Sequence, residues 1–205
     1  MGWYERHVLP LLLDLAMRHR RLAAYRRRVI AAARGTVLEI GVGSGLNLPF
    51  YGPAVERVYG VDPSPALLAL AASRGARAAP KLLLIRAEAE RLPLAAAAFD
   101  TVVMTWTLCT VADPAAALAE LKRVLRPGGR LLFVEHGLAP EPAIARWQRR
   151  LTPWWKRIGG GCHLDRQADA LLRAAGFALG ELGTGYMKGP KPFTYMYEGS
   201  ATLRS

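Results

Sequence analysis

A glycine-rich turn directly after a short apolar run constrains the fold of this 205-residue chain more than any other feature. Residues 36–40 are largely apolar, and glycines follow at positions 41, 43 and 45. This pattern predicts a strand, a tight turn and the start of a helix, as in sheets that bind nucleotides. Asp62 follows the next apolar run, 21 residues after Gly41. At that spacing a carboxylate can accept hydrogen bonds from both hydroxyls of a ribose.

Apolar runs and helix signals alternate along the rest of the chain. A capping side chain followed by proline, the signal of a helix start, occurs at Ser64-Pro65 and Asp113-Pro114. Alternating strands and helices predict an α/β fold, a mainly parallel sheet with helices on both faces. The predicted strands are 36–40, 58–61, 82–85, 100–105, 130–134 and a closing pair within 177–198. The first predicted helix covers 3–34 and has a break at Pro10. The second runs through 67–72 and stops at Gly75. A third starts after Asp113 and is ended by Pro127-Gly128-Gly129, and a fourth covers 165–175.

The composition limits the setting in which the chain works. With 28 Lys and Arg against 16 Asp and Glu, the net charge is +12, which favours anionic partners such as nucleic acid, acidic membranes or anionic ligands. The two cysteines have no paired spacing, so neither a metal site nor a disulfide framework is expected. We see no secretory signal and no run near the ~18 apolar residues that a membrane span needs. We therefore expect a cytoplasmic protein, with attachment to a membrane surface as an open option.

The glycine turn departs from the fingerprint of nicotinamide-binding enzymes, which is G-x-G-x-x-G. Here Gly41-x-Gly43-x-Gly45 is followed by Leu46 and Asn47, so the third glycine of that fingerprint is missing. Close packing around a pyrophosphate is therefore poorly provided for, and a different nucleotide ligand is favoured.

A series of motifs in register resembles the class I methyltransferases that depend on S-adenosyl-L-methionine (SAM). They are Glu39–Gly45, Gly60–Ser64, Ala87–Pro93, Phe99-Asp100 and Arg126–Gly129. The resemblance implies a Rossmann-like sheet of seven strands, mostly parallel with the last strand antiparallel, and helices on both faces. It also implies one domain over 1–205, with an N-terminal helical extension (1–34), a SAM-binding core (35–135), and an acceptor segment with the closing strands (136–205).

The same resemblance implies a cofactor site at the carboxyl ends of the first, second and fourth strands. Gly41, Gly43 and Asn47 would line the methionine part of SAM, and Asp62 would hold the ribose. Glu88 and Ala89 would lie at the adenine edge, and Thr105 and Leu108 would lie beside the sulfonium. The remaining expected cofactor residues are Glu39, Gly41, Gly43, Ser44, Gly45, Asn47, Asp62 and Pro63. The product would be S-adenosyl-L-homocysteine.

The second half resembles a narrower group, the thiol S-methyltransferases related to membrane-attached animal enzymes. The matching segments are Thr107-Leu108-Cys109, Glu135-His136 and Pro153-x-Trp155-Lys156-x-Ile158-Gly159-x-Gly161-Cys162. The resemblance implies a small thiol as acceptor, with His136 as the candidate catalytic residue. A hydrogen-bonded structural histidine is an equally open interpretation, and for Cys109 and Cys162 the interpretation as buried, inert side chains is favoured over reactive thiols. The candidate acceptor-binding residues are Trp106, Cys109, Trp147, Trp155 and Cys162.

Other acceptors remain open. The basic N-terminal segment and the patch Trp154-Trp155-Lys156-Arg157 favour membrane substrates, either a phosphatidylethanolamine head group or a quinone precursor, with residues 3–34 contacting an anionic membrane. The net charge also allows an RNA methyltransferase. However, Thr105-Trp106-Thr107-Leu108 stands where nucleic-acid enzymes carry an Asn/Asp-Pro-Pro-aromatic motif, so a nucleic-acid partner is not expected. The oligomeric state is open, and a monomer is favoured.

Overall fold

The computed structural model describes residues 8–76 and 81–204. In that part of the chain, seven strands form a single sheet in the order β3-β2-β1-β4-β5-β7-β6. Strands β1 to β5 pair in parallel, and β7 lies antiparallel between β5 and β6. The strands are β1 (Gly35–Ile40), β2 (Val55–Val61), β3 (Lys81–Ile85), β4 (Phe99–Thr105), β5 (Leu125–His136), β6 (Phe177–Tyr186) and β7 (Tyr195–Leu203). This architecture confirms the predicted class I sheet.

The connections between strands are mostly helical. Ser64 accepts a hydrogen bond from the Leu67 backbone, and Asp113 accepts two from the next helix, so both predicted caps are confirmed. Among the described residues, none of the helices has the length and apolar character needed to cross a bilayer. The helices are α1 (Leu9–Met17), α2 (Arg20–Ile30), α3 (Pro65–Gly75), α4 (Pro114–Val124), α5 (Pro142–Ile158) and α6 (Ala168–Ala174), with short 3-10 turns at Leu48–Phe50 and Lys191–Phe193.

The buried apolar side chains pack on both faces of the sheet. Successive residues of a strand point to opposite faces, so Val37 packs beneath α2 while Leu38 packs beneath α4 and α6. Leu131 and Leu132 divide between the two faces in the same way. Each fully buried side chain of this size contributes about 1.5–3 kcal/mol to folding. The two-sided core explains why the central strands β4 and β5 contain continuous buried runs, residues 101–105 and 131–135, rather than an alternating pattern.

The N-terminal segment differs from the prediction. Helix α1 begins at Leu9, so Pro10, the expected site of a break, lies in its first turn, where the missing N–H leaves no hydrogen bond unmade. A further break, which was not predicted, comes at Arg18 and His19, where the His19 imidazole accepts a hydrogen bond from the Arg21 backbone and starts α2. Residues 3–7 of the predicted segment lie outside the described residues.

Two predicted element bounds around β5 and α6 are wrong. The segment Pro127-Gly128-Gly129 was expected to end a helix, but α4 already ends at Val124 and this segment lies within β5. It forms an irregularity there, because Phe99 pairs with Leu125 and Thr101 already pairs with Arg130. The helix predicted to start at residue 165 begins at Ala168. Strand β7 also continues past the predicted limit to Leu203.

Helix α5 was not among the predicted elements, and Pro153 lies inside it. Proline removes one helical hydrogen bond, which costs the helix stability. Tertiary contacts offset that loss. The buried Gln148 side chain accepts a hydrogen bond from the Ala139 backbone and donates to the carbonyls of Gly137 and Pro192. These bonds fix α5 across the carboxyl end of β5.

Candidate active site

A buried carboxylate at the end of β1 organises the glycine turn. Glu39 accepts hydrogen bonds from Asn47 Nδ2 at 2.9 Å and from the Tyr51 hydroxyl at 2.6 Å. Asn47 Nδ2 also donates to Thr105 Oγ1 at 3.0 Å, which links the turn to β4. The other amide atom, Asn47 Oδ1, is buried and accepts no hydrogen bond from the described residues. Buried polar atoms are almost always hydrogen-bonded, so this oxygen is expected to accept a hydrogen bond from a bound ligand.

Opposite charges lie beneath this turn. Burial raises the pKa of Glu39 to about 7, against the lowering effect of the hydrogen bonds from Tyr51 and Asn47. Burial lowers the pKa of Arg26 to about 10, while Glu39 works to raise it. The Arg26 guanidinium lies 4.7 Å from the centre of the Trp106 ring, a cation–π contact. A further cationic group near Glu39 would favour the ionised carboxylate.

The glycines of the turn leave the backbone open on one side. Gly41 has φ +67°, and a Cβ built there would lie 2.2 Å from Thr107 Oγ1. Gly43 has φ +53°, and a Cβ there would meet only the Gly41 carbonyl oxygen, at 3.9 Å. The first glycine is therefore required by a close approach within the protein. The second faces space that a ligand can enter.

Asp62, directly after β2, faces the same space. Its two oxygens accept hydrogen bonds from the backbone of Gly43 at 3.0 Å and of Ser64 at 2.9 Å. Burial raises its pKa, those two bonds lower it, and the nearby charge of Glu88 raises it again. A carboxylate has about four acceptor positions, so each oxygen can still accept a hydroxyl. Pro63 is partly buried here, Glu88 is exposed and Ala89 is buried.

Ser44 is placed in the turn as predicted, but its hydroxyl is already used. It donates to the buried Asp14 of α1 at 2.6 Å. Asp14 also pairs with Arg18 and, at 2.9 Å, with Arg74 of α3, which in turn donates to the Ser44 carbonyl. Burial alone would raise the pKa of Asp14, but these hydrogen bonds hold it below its usual value. Sequence reasoning missed this network, although the spacing of Asp14 and Arg18 is that of a helical ion pair.

A second buried carboxylate, Glu135, holds the loop after β4. It accepts hydrogen bonds from the backbone of Thr107 at 2.8 Å, Leu108 at 2.9 Å and Cys109 at 3.3 Å. Burial raises its pKa to about 7, and the same three N–H groups oppose that rise. Sequence reasoning used Glu135 only as part of a motif and gave it no role. An acidic residue ending an apolar strand was the available signal.

The next residue, His136, lies in a cluster with both cysteines. Its Nε2 is 3.4 Å from Cys162 Sγ, and one side-chain atom from each of His136, Cys109 and Cys162 lies within 4.8 Å of the others. Contact with Cys109 is the main cause lowering the pKa of Cys162 to about 5; burial opposes it and His136 adds to it. The fold thus brings together three candidates that the sequence gave separately.

Comparisons with known proteins identify the family of the chain. The profile of the family described as methyltransferase domain matches residues 38–133. A phosphatidylethanolamine N-methyltransferase of Cereibacter sphaeroides is 36% identical over 139 residues, which are 65% of this chain and 68% of that protein.

The chain belongs to the SAM-dependent methyltransferases.

Thiol S-methyltransferase TMT1B of Rattus norvegicus is 38% identical to this methyltransferase over 147 residues, 70% of the chain and 60% of the relative. The chain thus spans about three fifths of that relative's length. Among solved structures, a SAM-dependent methyltransferase of Thermotoga maritima has a TM-score of 0.70. The alignment covers 97% of this chain and 99% of that one at 23% identity, and supports the fold alone.

The three tryptophans predicted at the acceptor occupy different surroundings in this methyltransferase. The Trp155 ring lies 4.7 Å from that of Phe193, and its indole N–H, which makes no hydrogen bond within the described part of the chain, helps to lower the pKa of Cys162. Trp106 packs against Arg26 of α2. Trp147 is 55% exposed on α5. Of the three, Trp155 is the one that the structure brings to the cysteine and histidine cluster.

Replacing Gly41 with alanine should destabilise the methyltransferase. An alanine in the left-handed region costs about 1–2 kcal/mol, and its methyl group would overlap Thr107 Oγ1. We expect the free energy of unfolding, measured with urea, to fall by at least that amount. Gly52→Ala is the matched control, because a Cβ there meets nothing within 4 Å and φ is not positive. An equal effect of the two substitutions would contradict the assigned role of Gly41.

Proposed function

We propose that this methyltransferase transfers the methyl group of SAM to a small thiol. The observation that carries the proposal is the cluster of Cys109, His136 and Cys162, which lies directly beside the loop that Glu135 fixes at the cofactor side. The similarity to a thiol S-methyltransferase over 70% of the chain supports the same acceptor. SAM supplies an electrophilic methyl group on a sulfonium and leaves as S-adenosyl-L-homocysteine.

The residues around the glycine turn fit SAM by their chemistry. We assign the ribose hydroxyls to Asp62, whose oxygens retain acceptor positions. The unpartnered Asn47 Oδ1 and the buried Glu39 provide acceptors for the ammonium of the methionine part. Gly43 leaves its backbone open to the ligand. Glu88 and Ala89 would lie at the adenine edge, and Leu108 beside the sulfonium.

On the acceptor side, the protein has to hold a thiol in its reactive form. A thiol is a strong nucleophile only as a thiolate, which donors and cations nearby favour. His136 and the two cysteines provide such a polar cluster within an otherwise apolar region. Trp155 lies against that cluster and would exclude water from it. Alignment of the two reactants then supplies much of the rate acceleration.

A lipid head group is the second candidate acceptor. The similarity to a phosphatidylethanolamine N-methyltransferase favours it, as does an exposed apolar surface on α1 and α5. This membrane-facing patch consists of Leu11, Leu12, Leu15, Trp154 and Ile158, which are 49–69% exposed. The turn that follows α5 lies against α1, since a Cβ on Gly160 would lie 3.4 Å from Leu13.

The charges around the membrane-facing patch match an anionic bilayer. Arg18 follows α1, Lys156 and Arg157 lie in the last turn of α5, and the Arg157 guanidinium lies 5.3 Å from the Trp154 ring. Apolar side chains ringed by cations are typical of helices that lie in the membrane interface. We propose that the protein contacts an anionic membrane surface through this patch, whichever acceptor it uses.

Release of S-adenosyl-L-homocysteine distinguishes the two acceptors. The purified protein, reduced without added thiol, is given SAM and either a small alkyl thiol or phosphatidylethanolamine vesicles. We expect turnover with the thiol in the absence of vesicles and none with vesicles alone. Turnover with vesicles only would contradict the thiol proposal and assign the lipid amine instead.

Asp62→Asn tests the cofactor assignment. Asparagine is uncharged and keeps only one acceptor oxygen, so at least one charge-assisted hydrogen bond, worth about 1.5–3 kcal/mol, is lost, which should weaken SAM binding at least about 10- to 100-fold in calorimetry. The control is Glu56→Gln, an exposed carboxylate on β2 that should leave the affinity unchanged. Unaltered affinity in Asp62→Asn would rule out the ribose contact.

The double variant Leu11→Gln with Leu15→Gln tests the membrane-facing patch. Both side chains are exposed, so the fold should persist while apolar burial in the bilayer is lost. We expect sedimentation with vesicles rich in phosphatidylserine to weaken at least about tenfold, a change of about 1.4 kcal/mol. Leu83→Gln, an exposed leucine on β3, is the control. If the wild-type protein stays in the supernatant, the patch does not contact membranes.

A further inference from the structure

We propose that Cys109, His136 and Cys162 form a binding site for a thiophilic divalent metal ion, zinc above all, whose fourth position receives the acceptor thiol. The assignment of the metal site stands on the cluster itself. The assignment of its open position rests on the proposed thiol acceptor. Sequence spacing indicated no metal site, because the three residues come from separate segments that only the fold brings together.

The distances in the cluster suit a small ion. Zinc binds sulfur at about 2.3 Å and imidazole nitrogen at about 2.0–2.1 Å in a tetrahedron, which separates neighbouring ligand atoms by roughly 3.4–3.8 Å. Cys162 Sγ and His136 Nε2 are already 3.4 Å apart, and the whole set lies within 4.8 Å. Small side-chain rotations therefore suffice to close the site around an ion.

The donor set is also the one that zinc prefers. Two thiolates and one imidazole form the protein ligands of catalytic zinc sites of the Cys₂His type, which keep one position open. Soft sulfur ligands select zinc over hard cations such as magnesium and calcium. The neighbouring carboxylate of Glu135 is committed to three backbone N–H groups and is not needed as a ligand.

The three ligands are held by the backbone around them. Cys109 lies in the loop that Glu135 fixes, and its carbonyl accepts a hydrogen bond from the His163 backbone at 2.7 Å. This bond ties the Cys162 segment directly to the Cys109 segment.

The loop that carries Cys162 is constrained as well. The turn before Cys162 has positive φ at Gly160 and Gly161, +63° and +85°. Arg166 adds bonds to the carbonyls of Leu108 and Val111. A site this constrained loses little freedom when an ion binds.

A metal ion at this position would explain how a thiol becomes reactive. A coordinated thiol loses its proton, which passes to bulk water, and stays as a thiolate on the metal. The sulfur lone pair then forms a bond to the methyl carbon as the bond from that carbon to the sulfonium sulfur breaks. The bonding electrons return to that sulfur, so neither reactant is oxidised or reduced. The neutral thioether is a weaker ligand than a thiolate and leaves the metal.

Metal binding is the first test and does not depend on turnover. The full chain, free of any polyhistidine tag and kept reduced without thiols, is dialysed against zinc, and bound metal is measured by mass spectrometry. We expect about one zinc ion per chain. Loss of a residue that only hydrogen-bonds to a metal ligand weakens metal binding about 10- to 100-fold. Cys109→Ala, His136→Ala and Cys162→Ser each remove a ligand itself, so each should weaken zinc binding by more than that.

His163→Gln is the matched control, a histidine next to Cys162 but outside the cluster, and it should keep full zinc binding. SAM affinity measured on every variant shows that the fold is intact, and it should stay near the wild-type value. Failure of the reduced wild-type protein to bind zinc stoichiometrically, or an equal loss in His163→Gln, would overturn the metal site.

Cobalt in place of zinc tests the open position. We expect thiolate-to-cobalt charge-transfer absorption that changes when a small alkyl thiol is added. An unchanged spectrum would overturn the proposed coordination of the acceptor.

Two outcomes separate the metal site from the thiol function. Zinc binding that follows the variants, without turnover of any thiol, would support the site and refute the thiol acceptor. Full thiol turnover by protein stripped of metal would support the acceptor and refute the role of the metal.

Discussion

Three consecutive backbone N–H groups, those of Thr107, Leu108 and Cys109, converge on one buried carboxylate, that of Glu135. Removing this carboxylate would leave three donors unpaired in an apolar interior, at about 1–3 kcal/mol each. The loop they belong to reaches both halves of the site. Thr107 lies against the glycine turn, and Cys109 lies beside His136. A single anchor therefore sets the distance between the part of the site proposed to bind SAM and the part proposed to bind an acceptor.

Glu39, on the neighbouring strand β1, fixes a loop in the same way. It orders the glycine turn through Asn47 and Tyr51, as Glu135 orders the loop after β4. The two loops also meet directly, because Thr107 Oγ1 donates to the Ile40 carbonyl at 3.0 Å and would collide with any side chain on Gly41. The site is thus built from two strand ends whose buried acids accept hydrogen bonds rather than form ion pairs. Such networks are rigid when every donor is satisfied.

The fold was largely readable from the sequence because its signals are local. Apolar runs, caps and glycines predicted β1, β2, β4 and the start of α4 within a few residues. Where prediction failed, distant contacts had decided the structure: the Gln148 side chain anchors α5 to Gly137, and Leu125 and Arg130 pair with β4 on either side of Pro127, which lies in β5 as an unpaired irregularity. The meeting of Cys109, His136 and Cys162 could not be predicted from spacing, since it depends on how a loop after α5 returns to the end of β5. The roles of individual residues remain predictions from motif position.

Asp14 connects the N-terminal helix α1, which lies outside the sheet, to the glycine turn. The same short helix α1 carries exposed leucines on one side and, on the other, the carboxylate that holds Ser44 and Arg74. Any event that reorients α1 must alter the free energy of the glycine turn. By thermodynamic reciprocity, a ligand seated in that turn alters the free energy of the event by the same amount. Through α1, a ligand at the turn and a contact at the exposed leucines would therefore change each other's affinity.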